Sequence, residues 1–468
     1  MTGAALNIAS SGLNAFQTGL DTVSQNIANA NTPGYIREQV NLNATVDPAS
    51  GVGTGVQVSS IGQVSNQFQT NIELNAGSVQ ASAQQSQSVL SQIMTVFQEP
   101  SPTGISEQLA GFWSSLDQVA NNPSQLAARQ QVVANAQNIS NTLNQGSTFL
   151  QGLSQSTQNA ISGQVTSLNS MLATLGSLNG QIHAAGTQTD QTLIDQQSQI
   201  LSQLSSMTGA TVQQNSDGTV NVLLGGVMLV QGNLVNQVSL SGTGVPYSLT
   251  VSGVAAPATP TTGSLGAMFN AVNSQIPNYQ QKLLGVAQSL NSVVNAQQAQ
   301  GSYFLPGSTT PISATSMPFF NLTTVGTSGA FSIAVNPNIA NTPTTPTATD
   351  PGLWGIAAAA TPAPPAVAAP GDGSNAQAWA ELSNLTTGPD ALWSQASGGI
   401  GTDVANANSS LQAAQTNYQS AFQAVQAVSG VNVNNEMVSM VNYQQGYQAA
   451  AKVISTVTSN LQSLLAAV

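Results

Sequence analysis

The chain has 468 residues, no cysteine, one histidine, and a formal net charge of −12 from 16 Asp and Glu against 4 Lys and Arg. That length admits more than one compact unit and a substantial core. Arg37, Arg129, Lys282 and Lys452 are all the cations there are, which excludes nucleic-acid binding, because that needs clustered Lys and Arg. The missing cysteine excludes thiolate metal sites, thiol nucleophiles and disulfides, and a lone His183 cannot supply a His-rich metal site. With only 4% of residues charged, Gln, Asn, Ser and Thr must carry the wetted surface.

The first twenty residues, MTGAALNIASSGLNAFQTGL, have neither a basic segment nor a continuous apolar run. No stretch anywhere reaches the roughly 18 apolar residues of a membrane span. The expectation is no membrane insertion, and either a cytoplasmic location or exit by another route. Leu6, Ala9, Leu13, Phe16, Leu20, Val23, Ile27 and Ala30 alternate spacings of three and four, which predicts a helix with one narrow heptad seam. Pro33 and Gly34 then form a joint, because Pro presets the first torsion of a type II turn and Gly accepts the second.

Strand-like YIREQVNLNA and GTGVQVSSI open the body. Helical spacing follows at Ile61, Val64, Phe68, Ile72, Ala76 and Val79, and again at Ile105, Leu109, Phe112, Leu116 and Val119. Asn122-Pro123 predicts the start of a helix running through Arg129 towards Leu178. From 210 to 252 the period changes to two, with Asp217-Gly218 and Gly225-Gly226 as hairpin turns. Helix resumes from Leu265 to about Ala299. Residues 301 to 375, rich in Pro, Thr, Ala and Gly, read as loops around one short strand, FSIAVN at 331 to 336.

The helical pattern returns at Leu411, Ala414, Tyr418, Phe422, Val425 and Val428 and stops at a second joint, Ser429-Gly430, after which Asn432 can cap a last helix. That helix carries a second seam from Val433 to Val468, with Gln444 and Thr458 as its polar exceptions. The two seams are expected to pair as an antiparallel coil and to meet neighbouring subunits, with Leu6, Leu13, Phe16, Leu20, Val23 and Ile27 against Met437, Met440, Tyr447, Ile454, Leu461 and Leu465. Heptad pairs this short are marginal alone, so the ends are expected to be disordered in a free monomer and to fold on assembly.

The predicted architecture is mainly α with a smaller β part. A terminal coiled-coil module comprises 1–31 plus 431–468, and connecting turn and strands occupy 32–60. An elongated helical body with β-hairpins at about 210–252 comprises 61–300 plus 376–430, and 301–375 is the loop region. No nucleotide-binding glycine loop, zinc-protease helix or Ser-His-Asp set can be assembled from this inventory. Asp190 and Asp195 are a carboxylate pair at close spacing, but a solvated acid and a helix-start acid explain them better than acid-base chemistry. The expectation is a non-enzymatic protein without metal or cofactor.

SGLNAFQTGLDTVSQNIANANTPGYIRE resembles the N-terminal signature of the bacterial flagellar rod, hook and hook-associated axial family, and SGVNVNNEMVSMVNYQQGYQAAAKVISTVTSNLQSLL resembles its C-terminal partner. The interior blocks NNPSQLAARQQVV, TLIDQQSQILSQLSSMTGATV, VMLVQG, TGSLGAMF and PGDGSNAQAWAEL resemble those of the hook-filament junction members. The resemblance implies a structural protein exported unfolded through the flagellar type III apparatus and assembled as a ring at the hook tip. It also implies an extracellular location and, as partners, further copies of itself, the hook protein, a second junction protein and an export chaperone at the C-terminal helix. Relatives often insert a central β-domain; residues 301–375 are too short and Pro-rich for one, so it is expected to be absent or vestigial. Another axial protein, hook or distal rod, is the nearest alternative, and a surface adhesin on the same scaffold a more distant one. At acid pH the sixteen carboxylates would lose their charge and leave little positive repulsion, which predicts an acid-stable assembly.

Overall fold

The computed structural model describes residues 2–32, 35–46, 53–186, 191–242, 244, 246–254, 258–325, 329–361 and 369–466. Pro33, Gly34, Asp190 and Val468 lie outside them. Helix α1 (Thr2–Ala28) is followed by a hairpin of β1 (Glu38–Val46) and β2 (Gly53–Gln63), and then by α2 (Gln67–Met94), α3 (Ile105–Asn121), α4 (Leu126–Ala185) and α5 (Gln191–Thr208). A four-stranded antiparallel sheet, in order, contains β3 (Thr211–Gln214), β4 (Val220–Leu224), β5 (Val227–Gln231) and β6 (Leu234–Val235). β7 (Val238–Ser241) and β8 (Ser248–Val251) form a separate hairpin. Gly225 and Gly226 turn β4 into β5 with φ of +57° and +84°, the left-handed pair a two-residue hairpin turn requires.

Next come α6 (Gly263–Asn270), a π-helical turn (Ala271–Gln275), α7 (Ile276–Gln300) and the short strands β9 (Gly301–Tyr303), β10 (Ile312–Ser313), β11 (Phe320–Val325) and β12 (Ala330–Val335). After α8 (Pro337–Ala340), β13 (Ala359–Ala360) and α9 (Ser374–Ala380), the long helices α10 (Pro389–Ser429) and α11 (Val433–Ala466) close the chain. The protein is thus mainly helical, with strands in small sheets.

Helix α4 organises the body. Its 60 residues extend about 90 Å, and its two halves serve different hydrophobic cores. Ile139, Leu143 and Leu150 join α2, α3, α7, α9 and α10 around Phe112, Trp379 and Trp393, where Phe97 stacks on Trp393 with ring centroids 5.2 Å apart. Leu168, Leu172 and Leu175 join α5, α6 and strands β4, β5, β7 and β8 around Val222, Leu249 and Phe269. Helices α2 and α10 form an antiparallel pair leading from the first core towards the chain ends. It is made close by Gly77, which sits under the Tyr418 ring, and by the heptad-spaced buried Ala407, Ala414 and Ala421.

Three local expectations need correction. Ile61 belongs to β2, opposite Val40; α2 starts only at Gln67, where the Asn66 side chain accepts from the Phe68 and Gln69 N–H groups, and its stripe Phe68, Ile72 and Val79 faces solvent. Asn122 ends α3 rather than starting α4, which begins past Pro123 at Leu126 and runs to Ala185. Residues 301–375 hold more than loops and one strand. Strands β11 and β12 pair in full, and Phe319, Phe320, Phe331, Ile333 and Leu353 enter the first core. Aromatic burial against α4 and α7 orders this Pro-rich chain more strongly than its local propensities oppose it.

Candidate assembly module and its joint

Helix α1 lies antiparallel on α11. Gly12 sits by Ala450, Phe16 by Gly446 and Gly19 by Tyr443, while Asn26 reaches Glu436, so ascent along one helix is descent along the other. Two reciprocal contacts fix the closeness of approach. A Cβ on Gly19 would lie 2.8 Å from the Tyr443 ring, and one on Gly446 would lie 2.9 Å from the Phe16 ring. Each ring therefore rests on bare backbone, a position open only to glycine at this separation.

The face α1 buries is consequently a stripe of small and polar residues, Ala9, Gly12, Ala15, Gly19, Thr22 and Asn26, with Val23. Of the residues expected to make this contact, Val23 is buried. Leu13, Phe16, Leu20, Ile27, Met440, Tyr447 and Ile454 are half-buried along the edges of the contact. Met437 and Leu465 stand open, 55% and 78% exposed, and Leu6 and Leu461 are only partly covered, 36% and 37% exposed. The physical reason is the register. Leu461 and Leu465 lie past the first turn of α1, and Met437 points away from the buried Glu436 beside it.

The β1–β2 hairpin flanks the pair. Gly55, with φ of +132°, lets its backbone pass against the Ser11 side chain, and the Val56 N–H donates to Ser11 Oγ at 3.3 Å. The hairpin is anchored to the body as well: Gln63 Nε2 donates to Asp195 Oδ1 at 2.6 Å and Gln191 Nε2 to the Ile61 carbonyl at 3.1 Å. Asp195 is thus a structural acceptor.

At the base of the pair the chain leaves α1 and re-enters α11 through one polar cluster centred on Asn26, which is fully buried. Its Nδ2 donates to the Glu38 carbonyl at 2.8 Å and to Glu436 Oε2 at 3.1 Å. Its Oδ1 accepts from the Glu38 N–H and from the Tyr35 hydroxyl, both at 2.9 Å. Two donors and two lone pairs are all an amide side chain has, and all are used. Arg37 completes the cluster: its N–H donates to the Ser429 carbonyl at 2.8 Å, its carbonyl accepts from the Val64 N–H at 2.9 Å, and its guanidinium lies 3.7 Å from Glu436 Oε1. The Tyr35 hydroxyl, pushed up to about 12 by burial and then by Glu38, Asp195 and Glu436, stays a neutral donor. Of the two expected joints, Ser429 and Gly430 sit here, Gly430 closing α10 by donating to the Gln426 carbonyl at 2.9 Å; Asn432 Oδ1 then caps α11 by accepting from the Asn434 and Asn435 N–H groups.

Sequence reasoning passed over Asn26, Gly19, Tyr443 and Gly446. One signal was present in the string: Gly19 and Gly446 interrupt otherwise good helix sequence, which costs about 1 kcal/mol each unless close packing needs it. Among the described residues there is no cluster of metal-ligating side chains, and no helix is long and apolar enough to cross a membrane.

Two chain ends that fold onto each other across a helical body define a class, and comparison with known proteins gives it a name. Residues 6–35 match the family of flagella basal body rod proteins, 423–467 the C-terminal family of flagellar basal body rod FlgEFG proteins, and 90–309 the helical domain of flagellar hook-associated protein FlgK. At both ends and in its helical middle the chain is thus similar to flagellar rod, hook and hook-associated proteins. Among them the resemblance is to hook-associated protein 1: the Salmonella typhimurium protein is 29% identical over 314 residues, covering 63% of this chain and 56% of that one. The Bacillus subtilis protein is 32% identical over 230 residues, covering 46% and 44%. The matched stretch is thus about half the length of these relatives. The structure of the flagellar hook junction protein FlgK from Burkholderia pseudomallei shares the fold, with a TM-score of 0.59 at 20% identity, over 76% of this chain and all of that one.

Proposed function

We propose that this chain is a structural, non-enzymatic axial protein at the junction between flagellar hook and filament, needed for the filament to assemble. The observation that carries the reading is the α1–α11 pair closed on the Asn26 joint, a module made of both chain ends and separate from the two cores of the body. Such a module offers faces to neighbours without disturbing the body that holds it. The exposed Met437 and Leu465, with the partly covered Leu6 and Leu461, support an assembly interface in which those side chains meet other subunits.

On this reading the chain crosses the type III export channel unfolded, and its lack of cysteine keeps it from crosslinking on the way. Its partners are further copies in a ring, the hook protein below, a second junction protein above, and, before export, a chaperone on α11. The finished structure is extracellular. Another axial role, hook or distal rod, is weighed against by the interior match over residues 90–309, which lies outside the shared terminal signatures. Deleting the gene tests the assignment: cells that build hooks but shed unassembled flagellin into the medium are the expected outcome, whereas normal filaments, or loss of the hook itself, would overturn it.

A further inference from the structure

The tract TPTTPTAT, residues 342–349, enters neither core, and every one of its threonines is exposed. It is held in shape all the same. The Tyr303 hydroxyl donates to the Ala348 carbonyl at 2.6 Å, Asn341 Nδ2 donates to Asp350 Oδ1 at 2.6 Å, and the Thr347 N–H donates to the Asp350 carbonyl at 3.0 Å. Pro343 packs so closely on Gly352, whose φ is +58°, that a Cβ there would lie 2.5 Å from the proline ring.

Within this loop the hydroxyls divide into two sets. Thr347 and Thr349 share a hydrogen bond of 3.3 Å, and Thr347 also accepts from the Asp350 N–H at 3.0 Å. The hydroxyls of Thr342, Thr344 and Thr345 have no partner among the described residues. Exposed threonines on α4 are used differently: Thr148, Thr166 and Thr174 each donate to the carbonyl four residues earlier. Pro343 and Pro346 also bias the threonines before them, Thr342 and Thr345, towards extended backbone. Threonines interleaved with proline are the composition of O-glycosylated tracts.

The loop lies at the end of α4 farthest from the terminal module. Arg129, in the first turn of α4, donates to the Leu353, Trp354 and Ile356 carbonyls just past the tract. The other end of α4 leads into α5, whose Gln191 and Asp195 hold the β1–β2 hairpin. The 60 residues of α4 set these two places about 90 Å apart, so bulk added to the loop leaves α1, α11 and their joint untouched.

We infer that Thr342, Thr344 and Thr345 are acceptors of O-linked sugar. The threonine Oγ attacks the anomeric carbon of a nucleotide-activated sugar held by a separate transferase. The bond from that carbon to the diphosphate breaks, the nucleoside diphosphate leaves with the electron pair, and the hydroxyl proton passes to a base of the transferase. A neutral sugar fits the loop better than a phosphate, which brings about two negative charges. Those charges would join Asp350 while Arg129, the cation at the base of the loop, is buried and committed to carbonyls. Sugar hydroxyls also wet the surface of a chain in which only 4% of residues are charged. Nothing in this site depends on the axial reading.

The test compares the intact mass of the full-length protein purified from the cells that make it with that of the same chain made by cell-free translation. The native chain should be heavier by whole sugar residues, and fragmentation that spares side-chain groups should place them on Thr342, Thr344 or Thr345. The triple variant Thr342→Ala, Thr344→Ala, Thr345→Ala, made in the native cells, should lose the added mass at an unchanged unfolding midpoint, since none of the three hydroxyls holds the fold. A native chain at its sequence mass, sugar confined to other residues, a phosphate-sized increment on these threonines, or full added mass in the triple variant would each overturn the proposal. Each of these leaves the axial assignment standing, because the deletion phenotype tests that separately.

Discussion

Replacing Asn26 by Ala removes one side chain and takes its hydrogen bond from four groups: the buried Glu38 N–H, Glu38 carbonyl and Glu436 oxygen, and the half-buried Tyr35 hydroxyl. At ~1 kcal/mol for each unsatisfied group, the closed joint loses about 4 kcal/mol, roughly three orders of magnitude in the docking equilibrium of the module. The body should not notice, because no residue of either core contributes to the cluster. Hydrogen exchange on the assembled protein reads this directly, since the Glu38 amide hydrogen goes to Asn26. Exchange there should accelerate by a factor of 10² to 10³, while amides of α4 around Leu143 keep their protection. Asn26→Asp sharpens the test: the isosteric carboxylate loses both donors and faces Glu436, so the defect should be at least as large at neutral pH. It should then shrink as the pH falls, because burial beside another acid favours the protonated form. Wild-type protection at Glu38 in Asn26→Ala, with normal assembly, would refute the reasoning.

Other consequences concern the body, the hairpin and the response to acid. The Arg129 guanidinium, its pKa lowered to about 10 by burial, meets no carboxylate among the described residues and instead donates to the carbonyls of Pro123, Leu353, Trp354 and Ile356. Arg129→Met should therefore destabilise the body by about 3 kcal/mol in denaturant titration, with Arg129→Lys recovering less than half because an ammonium cannot span the same fork. A Cβ at Gly55 would collide with the Ser11 hydroxyl, so Gly55→Ala should free the hairpin from α1 and expose the β2 amides to exchange without shifting the unfolding of the body. Burial raises the carboxyls of Glu73 and Asp390, so the folded state holds their protons more tightly and gains stability as the pH falls through their range. Asp217, held down to about 2 by hydrogen bonds from Thr219 and His183, works in the opposite sense and gives up its contribution progressively as the pH falls from the ordinary aspartate range to that value. The unfolding midpoint and the assembly should thus change little between pH 7 and pH 3; dissociation at pH 3 would contradict this.

The readable parts of the fold were those whose cause is local. Gly225-Gly226 can make only a tight turn, Asn432 after a Gly reads as a cap, and the three-four spacing in both end helices survives as real helix. The paired face was misread because large apolar residues draw attention, while the contact closes on Gly19 and Gly446, where aromatic rings replace missing side chains. Asn26 sits in a run of similar asparagines, and nothing nearby distinguishes it from Asn29 or Asn31. Its role comes from Glu436, 410 positions away. Residues 301–375 look like loops for the same reason, since Phe319, Phe320 and Phe331 gain their order from helices far along the chain.

The central claim, that both chain ends form one module which folds as subunits join, is tested most directly by comparing hydrogen exchange in the free subunit and in the assembled junction. Neither end helix is deeply buried: α11 presents most of its residues to solvent, and among the described residues the pair rests mainly on itself, the hairpin and the joint. Residues 4–30 and 433–466 should exchange rapidly in the free subunit, with α4 protected, and should become protected on assembly. Strong and equal protection of residues 4–30 in both states would contradict the account.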